Sequence, residues 1–505
     1  MTDQNGPSRG RAPSALALMH AVDVRAVDAG AAAAGVSVRA LMENAGAGVA
    51  DAIAQRFSVQ PVTVLCGPGA NGGDGWVTAR RLWRAGWSVR VLASDPQKLS
   101  GAAREAADDW AATGGRHEPL PAALPESGLV VDALFGVGLS RPLEGVYAAL
   151  VGAMAHAPER VIAVDLPSGL DADSGRPVGE VCGRAGLSVT FVRKKPAHVL
   201  FPGRSFCGDV VVIDIDAPAE VIEACALNAW ENGPCLWSAR YPWPAEDAHK
   251  HSRGALRVVS GNAGRTGAAR LAARAGLRVG AGLVTVLSPR DAMAENAAQL
   301  TAVMLQQLST TETDLSAASA LIVGPALGLG EEHAALLAGY LRFDGRPRCV
   351  LDADALTHLA RWREALRADD VLTPHLGEFR RLFPGLYEGA RSKIEAVRCA
   401  AADIGAIVLL KGPDTVVAAP DGRAVVNTTG TPFLATAGAG DVLSGLIGGL
   451  MVQGMASFEA AAAGAWLHGR AAERLGPGLV AEDIEAQLPR VLNEIAPARL
   501  KRAVD

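Results

Sequence analysis

Two α/β domains, each built on an open parallel sheet, are the fold class that the sequence predicts. Three observations carry this. The chain has 505 residues, too many for one ordinary domain. Short apolar runs of strand length alternate with stretches of helical periodicity, the rhythm of repeated βαβ units. Two of those runs end in an acid followed by a glycine-containing loop, where open parallel sheets bind ligands.

Residues 1–14, "MTDQNGPSRGRAPS", mix Pro, Gly and Arg with no apolar segment behind them. They read as a disordered tail rather than a signal peptide. From Ala15 to Phe57 the pattern is helical, with Val38, Leu41, Met42, Ala45, Val49 and Ile53 on one face. "PVTVLC" follows as a buried strand, "GPGANGGDG" as a turn, "WVTARRLWRAG" as a helix and "WSVRVLAS" as a strand. "GLVVDALF", "RVIAVDLP", "LSVTFV" and "DVVVIDID" continue the sheet. From Ala217 to Lys250 the rhythm breaks, with four prolines and three tryptophans, and this marks the boundary. The first domain is expected over 15–235 and the second over 236–505. In the second, "ALRVVSG", "GLVTVLS", "ALIVGP", "CVLDADAL", "VLTPH" and "IVLLKG" read as strands.

The composition, 49% apolar and 5% aromatic, can bury large cores. A net charge of −5 gives no reason to expect nucleic acid or an anionic membrane as partner, and no apolar run is long enough to span a bilayer. Seven cysteines are scattered without a CxxC pair, which fits reduced thiols in a cytoplasm.

The chemistry-bearing motifs sit at strand ends. In "GPGANGGDG", Gly67, Gly69 and Gly72 match a dinucleotide fingerprint, by itself a weak signal, with Asp95 only roughly placed for the usual acid. Asn71 and Asp74 add polar groups that a plain strand-to-helix turn does not need. Asp132 in "VDALFGVGLSRPL" and Asp165 in "VDLPSGLDADSG" end adjacent strands; either could merely cap a helix, but two together with glycine loops point to a ligand site. Asn71, Asp132 and Ser168 offer oxygens suited to a hard cation. "LDADAL" brings two acids to a strand end, and "TPHLGEF" puts His375 and Glu378 after another. "LLKGPDT" turns where backbone amides could hold a nucleotide; the bland reading of Lys411 is a solvated surface lysine. In "ATAGAGDVLSGLIGGL" the amides of Ala437 to Gly440 would form an anion nest before an apolar helix. Asp441 would then lie beside a transferred phosphate, able to take a proton from an attacking hydroxyl. The bland alternative is an N-cap aspartate, yet a cap needs no Gly-x-Gly before it.

The last motif resembles the G-x-G-D of ribokinase-like kinases. With "LMENAG", "ANGGDG", "DLPSGLDADSG" and "TFVRKKP" in the first half, and "GRTGAA", "VGPALGLG", "LDADAL" and "TAGAGDVLSG" in the second, the chain resembles the bifunctional NAD(P)H-hydrate repair enzymes over about Ala15 to Ala496. The resemblance implies a Rossmann-like three-layer sandwich that epimerises the R and S hydrates of NADH and NADPH. It also implies a ribokinase-like α/β domain that dehydrates the S form with ADP and magnesium. A potassium ion would be held by Asn71, Asp132 and Ser168. Ala70, Asn71, Gly72, Gly73 and Asp74, then Gly136, Val137, Gly138, Leu139, Ser140, Arg141 and Pro142, and Asp165 would contact the hydrate. Asp165 is the candidate acid/base of the epimerisation and Lys195 a weaker one. In the second domain Asp441 matches the catalytic base and substrate contact. Lys411, Gly412, Pro413, Asp414, Thr415 and Gly440 match the nucleotide site, and Ala268, Gly324 and His375 the hydrate site. A homo-oligomer is expected.

The chain departs from the family pattern at Ala70, for the first of two asparagines, at Ala326 for a glycine, at Leu376 for a proline, and in the scrambled "HKHSRG". None removes a polar catalytic group. Two rivals stay open on sequence: a small-molecule kinase fused to a Rossmann-like binding module, which would release a stable phosphoester, and a nucleotide sensor without turnover.

Overall fold

A computed structural model of the chain describes residues 14–121 and 123–500. The expected tail therefore lies, but for Ser14, outside the described residues. Two compact units emerge, Ala15–Ala229 and the chain from Trp230 onward.

In the first unit, β1 (Val62–Cys66), β2 (Val89–Ala93), β3 (His117–Pro119), β4 (Leu129–Ala133), β5 (Val161–Val164), β6 (Leu187–Phe191) and β7 (Asp209–Ile213) form one sheet. Its order is β3-β2-β1-β4-β5-β6-β7, parallel throughout. Alternate residues serve opposite faces. Val62, Val64 and Cys66 pack with the helices Val38–Arg56, Ala70–Arg84 and Gly101–Ala112, while Leu65, Leu92 and Val130 pack with Val151 and Met154 of the helix Gly145–Met154. This is the expected three-layer Rossmann-like sandwich. β3 has no apolar pattern, every residue being exposed, and was not legible in the sequence.

In the second unit the strands are β8 (Ala229–Glu231), β9 (Ala255–Val259), β10 (Leu283–Ser288), β11 (Met304–Gln307), β12 (Ala320–Val323), β13 (Arg348–Leu351), β14 (Val371–Leu372), β15 (Ile407–Leu410), β16 (Val416–Ala418) and β17 (Ala424–Val426). Their order is β11-β10-β9-β12-β13-β14-β15-β16-β17-β8. The pairs from β11 to β15 are parallel, and β16 and β17 add antiparallel turns at one end. The boundary falls six residues before the expected limit of 235. β8 adds to the edge of this sheet, the Asn232 amide donates to the Val426 carbonyl at 2.7 Å, and Trp237 is buried in this unit's core.

In both sheets the chain reverses its direction of spread at the first core strand, β1 between β2 and β4, and β9 between β10 and β12. The crevice beyond the carboxyl ends of strands at such a reversal is where ligands of this architecture bind.

One local expectation is corrected. "ANGGDG" is not turn but helix: the helix opens at Ala70 after Gly69, six residues before Trp76. Three glycines in the first six residues are poor helix formers, yet packing demands them. A Cβ on Gly72 would meet the Gly67 carbonyl oxygen at 2.0 Å, one on Gly73 the Met42 side chain at 2.4 Å, and one on Gly75 Ala133 at 2.6 Å. Gly72→Ala is therefore expected to push this helix off the sheet. It should cost about 1–3 kcal/mol in a urea titration and displace Asn71 and Asp74 with it. Unchanged stability and epimerisation would contradict the packing argument. The small residues of the second domain act alike: a Cβ on Gly445 would lie 2.2 Å from the Ala272 oxygen, where the helices Gly267–Arg278 and Ala439–Val452 touch.

Candidate active sites

The first unit holds a cavity of about 390 Å³ at the carboxyl ends of its central strands. Its polar wall carries Asp28, Asn71, Asp74, Asp165 and Lys195; Met19, Val27, Leu41, Met42, Phe191 and Ile215 line the apolar side. Ala70, Gly136, Val137, Gly138 and Leu139 also border it. Gly72 and Gly73 are buried in helix packing behind it, and Ser140, Arg141 and Pro142 are exposed and do not line it.

Asp165 follows β5 with a left-handed backbone, φ 67°, a strained geometry for a residue with a side chain and one that concentrates at functional sites. Its buried carboxylate pairs with the Lys195 ammonium at 2.6 Å and accepts from the Thr190 hydroxyl at 2.7 Å. Lys195 also donates to Thr190 at 2.8 Å. Burial alone would raise this carboxyl, but the Lys195 charge and these hydrogen bonds hold it below the usual aspartate value. His198 accepts from the Lys195 amide and faces the Asp165 carbonyl at 3.0 Å. Burial and the neighbouring Lys195 charge depress it to about 4, so it is a neutral support. Asp74 makes no side-chain hydrogen bond or ion pair among the described residues. Burial first, then the charges of Asp165 and Asp28, push it well above the ordinary carboxylate range.

Asp132 and Ser168 meet directly: the Ser168 hydroxyl donates to one Asp132 oxygen at 2.7 Å and the Ser168 amide to the other at 2.8 Å. The Phe135 amide donates to the Ser168 hydroxyl at 2.9 Å. Asp132 is buried and has no cationic partner among the described residues, and burial raises it despite these bonds. Asn71 stands beside Gly136, with the Asp165 carboxylate on the same side. A Cβ on Gly136 would lie 3.0 Å from the Asn71 Oδ1, and the buried Asn71 Nδ2 has no partner among the described residues. A buried carboxylate beside a hydroxyl, with no counter-charge among the described residues, offers oxygens that fit a monovalent hard cation.

The second site gathers at the ends of β12, β13 and β15 and at one helix N-terminus. Gly324, with φ 123°, lets the chain pass the Asp352 carbonyl, which a Cβ would meet at 1.8 Å. The Lys411 amide donates to the Pro374 carbonyl at 2.8 Å, tying the "KGPDT" loop to "TPH". Within that loop the Thr415 hydroxyl closes on the Gly412 carbonyl at 2.9 Å, Asp414 pairs with Lys393 at 2.6 Å, and Gly412 and Pro413 are exposed. Ala268 is half-buried in the first turn of the helix Gly267–Arg278. His375 caps the helix Leu376–Leu382, its Nδ1 accepting from the Gly377 and Glu378 amides, with its side chain 56% exposed. The visible role of this histidine is thus a cap.

Asp441 is no cap. Gly438, with φ 87°, precedes the helix Ala439–Val452, and Asp441 is its third residue. Its half-buried carboxyl has no hydrogen bond among the described residues. Burial, then the nearby Asp352 charge, raise it to about 6, against the pull of Lys411. Gly440 leaves this face open, since a Cβ there would be 3.4 Å from the Lys411 Nζ. Asp352, to which the motifs assign no role, is the residue that Lys411 and Ser444 both grip, each at 2.8 Å. The signal for it was its place after β13. Thr190 left no signal, because only the pairing of β5 with β6 brings it to Asp165. Ala326 adopts φ 53°, a backbone that glycine takes without strain.

Two parallel-sheet domains, each with an acid poised at the carboxyl ends of its strands, define a two-site α/β enzyme. Residues 38–197 match the family described as YjeF-related protein N-terminus, and residues 256–490 the family described as NAD(P)H-hydrate dehydratase. The bifunctional NAD(P)H-hydrate repair enzyme of Thermofilum pendens is 37% identical, covering 91% of this chain and 93% of its own length. The enzymes so named in Moorella thermoacetica and Coxiella burnetii are 36% and 35% identical, covering 90% and 93% of this chain and 92% and 98% of their own. An ADP/ATP-dependent NAD(P)H-hydrate dehydratase of Bacillus subtilis, co-crystallised with ATP and Mg2+, superposes with a TM-score of 0.44 and 26% identity over 51% of this chain and 96% of that one. The chain belongs to the bifunctional NAD(P)H-hydrate repair enzymes, with the epimerase domain first and the dehydratase domain second. Among its described residues no helix is long and apolar enough to cross a membrane.

Proposed function

We propose that the first domain interconverts the R and S hydrates of NADH and NADPH, and that the second returns the S hydrate to NAD(P)H at the expense of ADP, releasing AMP and phosphate. The observation that carries the second half is the Asp441 carboxyl, unengaged and raised to about 6, at the head of a helix that a glycine-spaced turn opens. A base of that affinity takes the proton of the hydrate hydroxyl as it attacks the terminal phosphorus. The nest amides and Lys411 receive the phosphoryl charge. Phosphorylation turns hydroxide, a poor leaving group, into phosphate, and the ring-nitrogen electron pair expels it. Magnesium belongs to this reading as part of the nucleotide co-substrate. In the first domain Asp165 and Lys195 form the ion pair that faces the hydrate and stabilises the cationic ring of either epimerisation route.

Potassium would be held by Asn71, Asp132 and Ser168. The ion would supply the counter-charge that the buried Asp132 carboxylate lacks among the described residues. Asp132→Ala should weaken hydrate binding in the first domain and abolish the response of epimerisation to potassium. Normal epimerisation by this variant in potassium-free buffer would sink the assignment. A cytoplasmic location is part of the reading, supported by seven unpaired cysteines.

The decisive experiment gives the protein a mixed-epimer NADH hydrate with magnesium, potassium and either ADP or ATP, and follows the return of NADH with release of phosphate. A stable phosphoester instead would favour a small-molecule kinase. Nucleotide binding without turnover would favour a sensor.

A further inference from the structure

Asp352 is 1% exposed at the end of β13, and each of its oxygens is engaged. Oδ1 receives the Lys411 ammonium at 2.8 Å and the Ala353 amide at 2.9 Å; Oδ2 receives the Ser444 hydroxyl at 2.8 Å. Three separate parts of the chain thus converge on one carboxylate: the strand end itself, the loop after β15, and the helix that carries Asp441. Ser444 lies one turn after Asp441 on that helix, so the two share a face. Gly440 borders the same spot, since a Cβ there would be 3.4 Å from the Lys411 Nζ and 3.9 Å from the Asp352 Oδ2. The backbone strains to make this join: Ala353 has φ 48° and Ala326, on the neighbouring loop, φ 53°. An ordinary surface ion pair needs neither the strain nor the third partner.

We propose that Asp352 is a positioning residue of the dehydration: it latches Lys411 and Ser444 together where the transferred phosphate and Asp441 must meet. This rests on the dehydratase reading of the second domain. Through Ser444 it fixes the rotation of the helix, and hence where the Asp441 carboxyl points. Through Lys411 it places a cation at the open side of Gly440. It is not itself a second base, because its lone pairs are already committed to a cation, an amide and a hydroxyl.

Its charge has a second consequence. The groups that face Asp441 are Asp352 and Lys411, and Lys411 in turn faces His468, a buried and neutral imidazole bonded to the Ala439 backbone. Removing the Asp352 charge takes away a like charge from Asp441 and frees Lys411 to attract its anion. Both changes act in the same direction, toward a weaker base.

The test compares the pH dependence of kcat/KM for the nucleotide-dependent step, which reports groups in the free enzyme. In the wild type the acidic limb should lie near 6. In Asp352→Asn it should move down toward about 5, with kcat reduced about 10- to 100-fold by the loosened latch. Lys411→Met should move the limb the other way. Asp352→Glu should recover the limb but not the full kcat. Opposite shifts from the two halves of one ion pair are not produced by general damage to the fold. The Asp441 carboxyl carbon, followed by NMR in the same variants without substrate, reads the coupling independently of turnover. It therefore decides the proposal even if the wild type fails to dehydrate the hydrate, which would refute the dehydratase reading alone. An Asp352→Asn protein with wild-type kcat and an unmoved Asp441 titration overturns the proposal.

Discussion

Asp441→Ala is expected to abolish the nucleotide-dependent return of NADH while the two hydrates still interconvert. Losing a positioned base costs about 100- to 10,000-fold in rate, and the structure removes the obvious substitute. Asp352, the acid whose charge acts on Asp441, is held by Lys411, Ser444 and the Ala353 amide and cannot take the hydroxyl proton. Folding should be nearly intact, because the carboxyl makes no hydrogen bond among the described residues and removing a half-buried, partly protonated acid leaves nothing unpaired. The wild type carries a pH signature of the same group. With its carboxyl raised to about 6 by burial and Asp352, kcat/KM should rise with pH through that value and level off above it. A limb near 4 would mean that Asp441 is not the base. A flat progress curve for Asp441→Ala, beside normal exchange of epimers in the same sample, is the expected readout.

Asp165 should give the converse. With the epimerase silenced, a mixed-epimer sample should show a fast phase as the S hydrate is consumed and a slow one limited by spontaneous epimerisation. Wild type should run through in one phase. The choice of substitution matters. Asp165→Ala would strand the Lys195 ammonium, itself 1% exposed, and an uncompensated buried charge costs about 3–5 kcal/mol. Asp165→Asn keeps the volume and the Thr190 contact but still leaves Lys195 without its counter-charge, whereas Asp165→Asn with Lys195→Met removes the charge pair together. Both should leave the second domain working at its normal rate. If the folded Asp165→Asn protein cannot consume even the S hydrate, the two-site reading fails, since that acid would then serve the dehydration as well.

Much of this was legible beforehand. The strand series in both halves stands where the apolar runs put it, and the acids Asp132, Asp165, Asp352 and Asp441 all lie at the carboxyl ends of strands or at the head of a helix. Periodicity and glycine punctuation are local signals, and parallel sheets buried on both faces write them strongly. What was missed was not local. β3 and β8 are edge strands of three residues whose exposed or mixed side chains carry no alternation, and β11, β16 and β17, of three or four residues each, were not predicted either. The start of the helix at Ala70 is glycine-rich because Gly67, Met42 and Ala133 leave no room for a Cβ, and those neighbours are known only once the sheet is assembled. His375 could be structural or catalytic on sequence alone; the capping bonds to Gly377 and Glu378 appear only with the helix in place.

The sequence by itself determined two parallel α/β domains, the strand ends at which each acts, and the acids available there, because side-chain type and spacing decide which face is buried and where the chain turns. Only the tertiary structure decided the state of those acids. Asp165 is held as an anion by Lys195, Asp352 is locked between Lys411 and Ser444, and among the described residues Asp132 is buried without a counter-charge and Asp441 has no hydrogen bond and a raised affinity for protons. Proton affinity depends on burial and on charges a few ångströms away, and the residues that supply them lie 30 and 59 positions off in the chain for Asp165 and Asp352, distances that only folding closes.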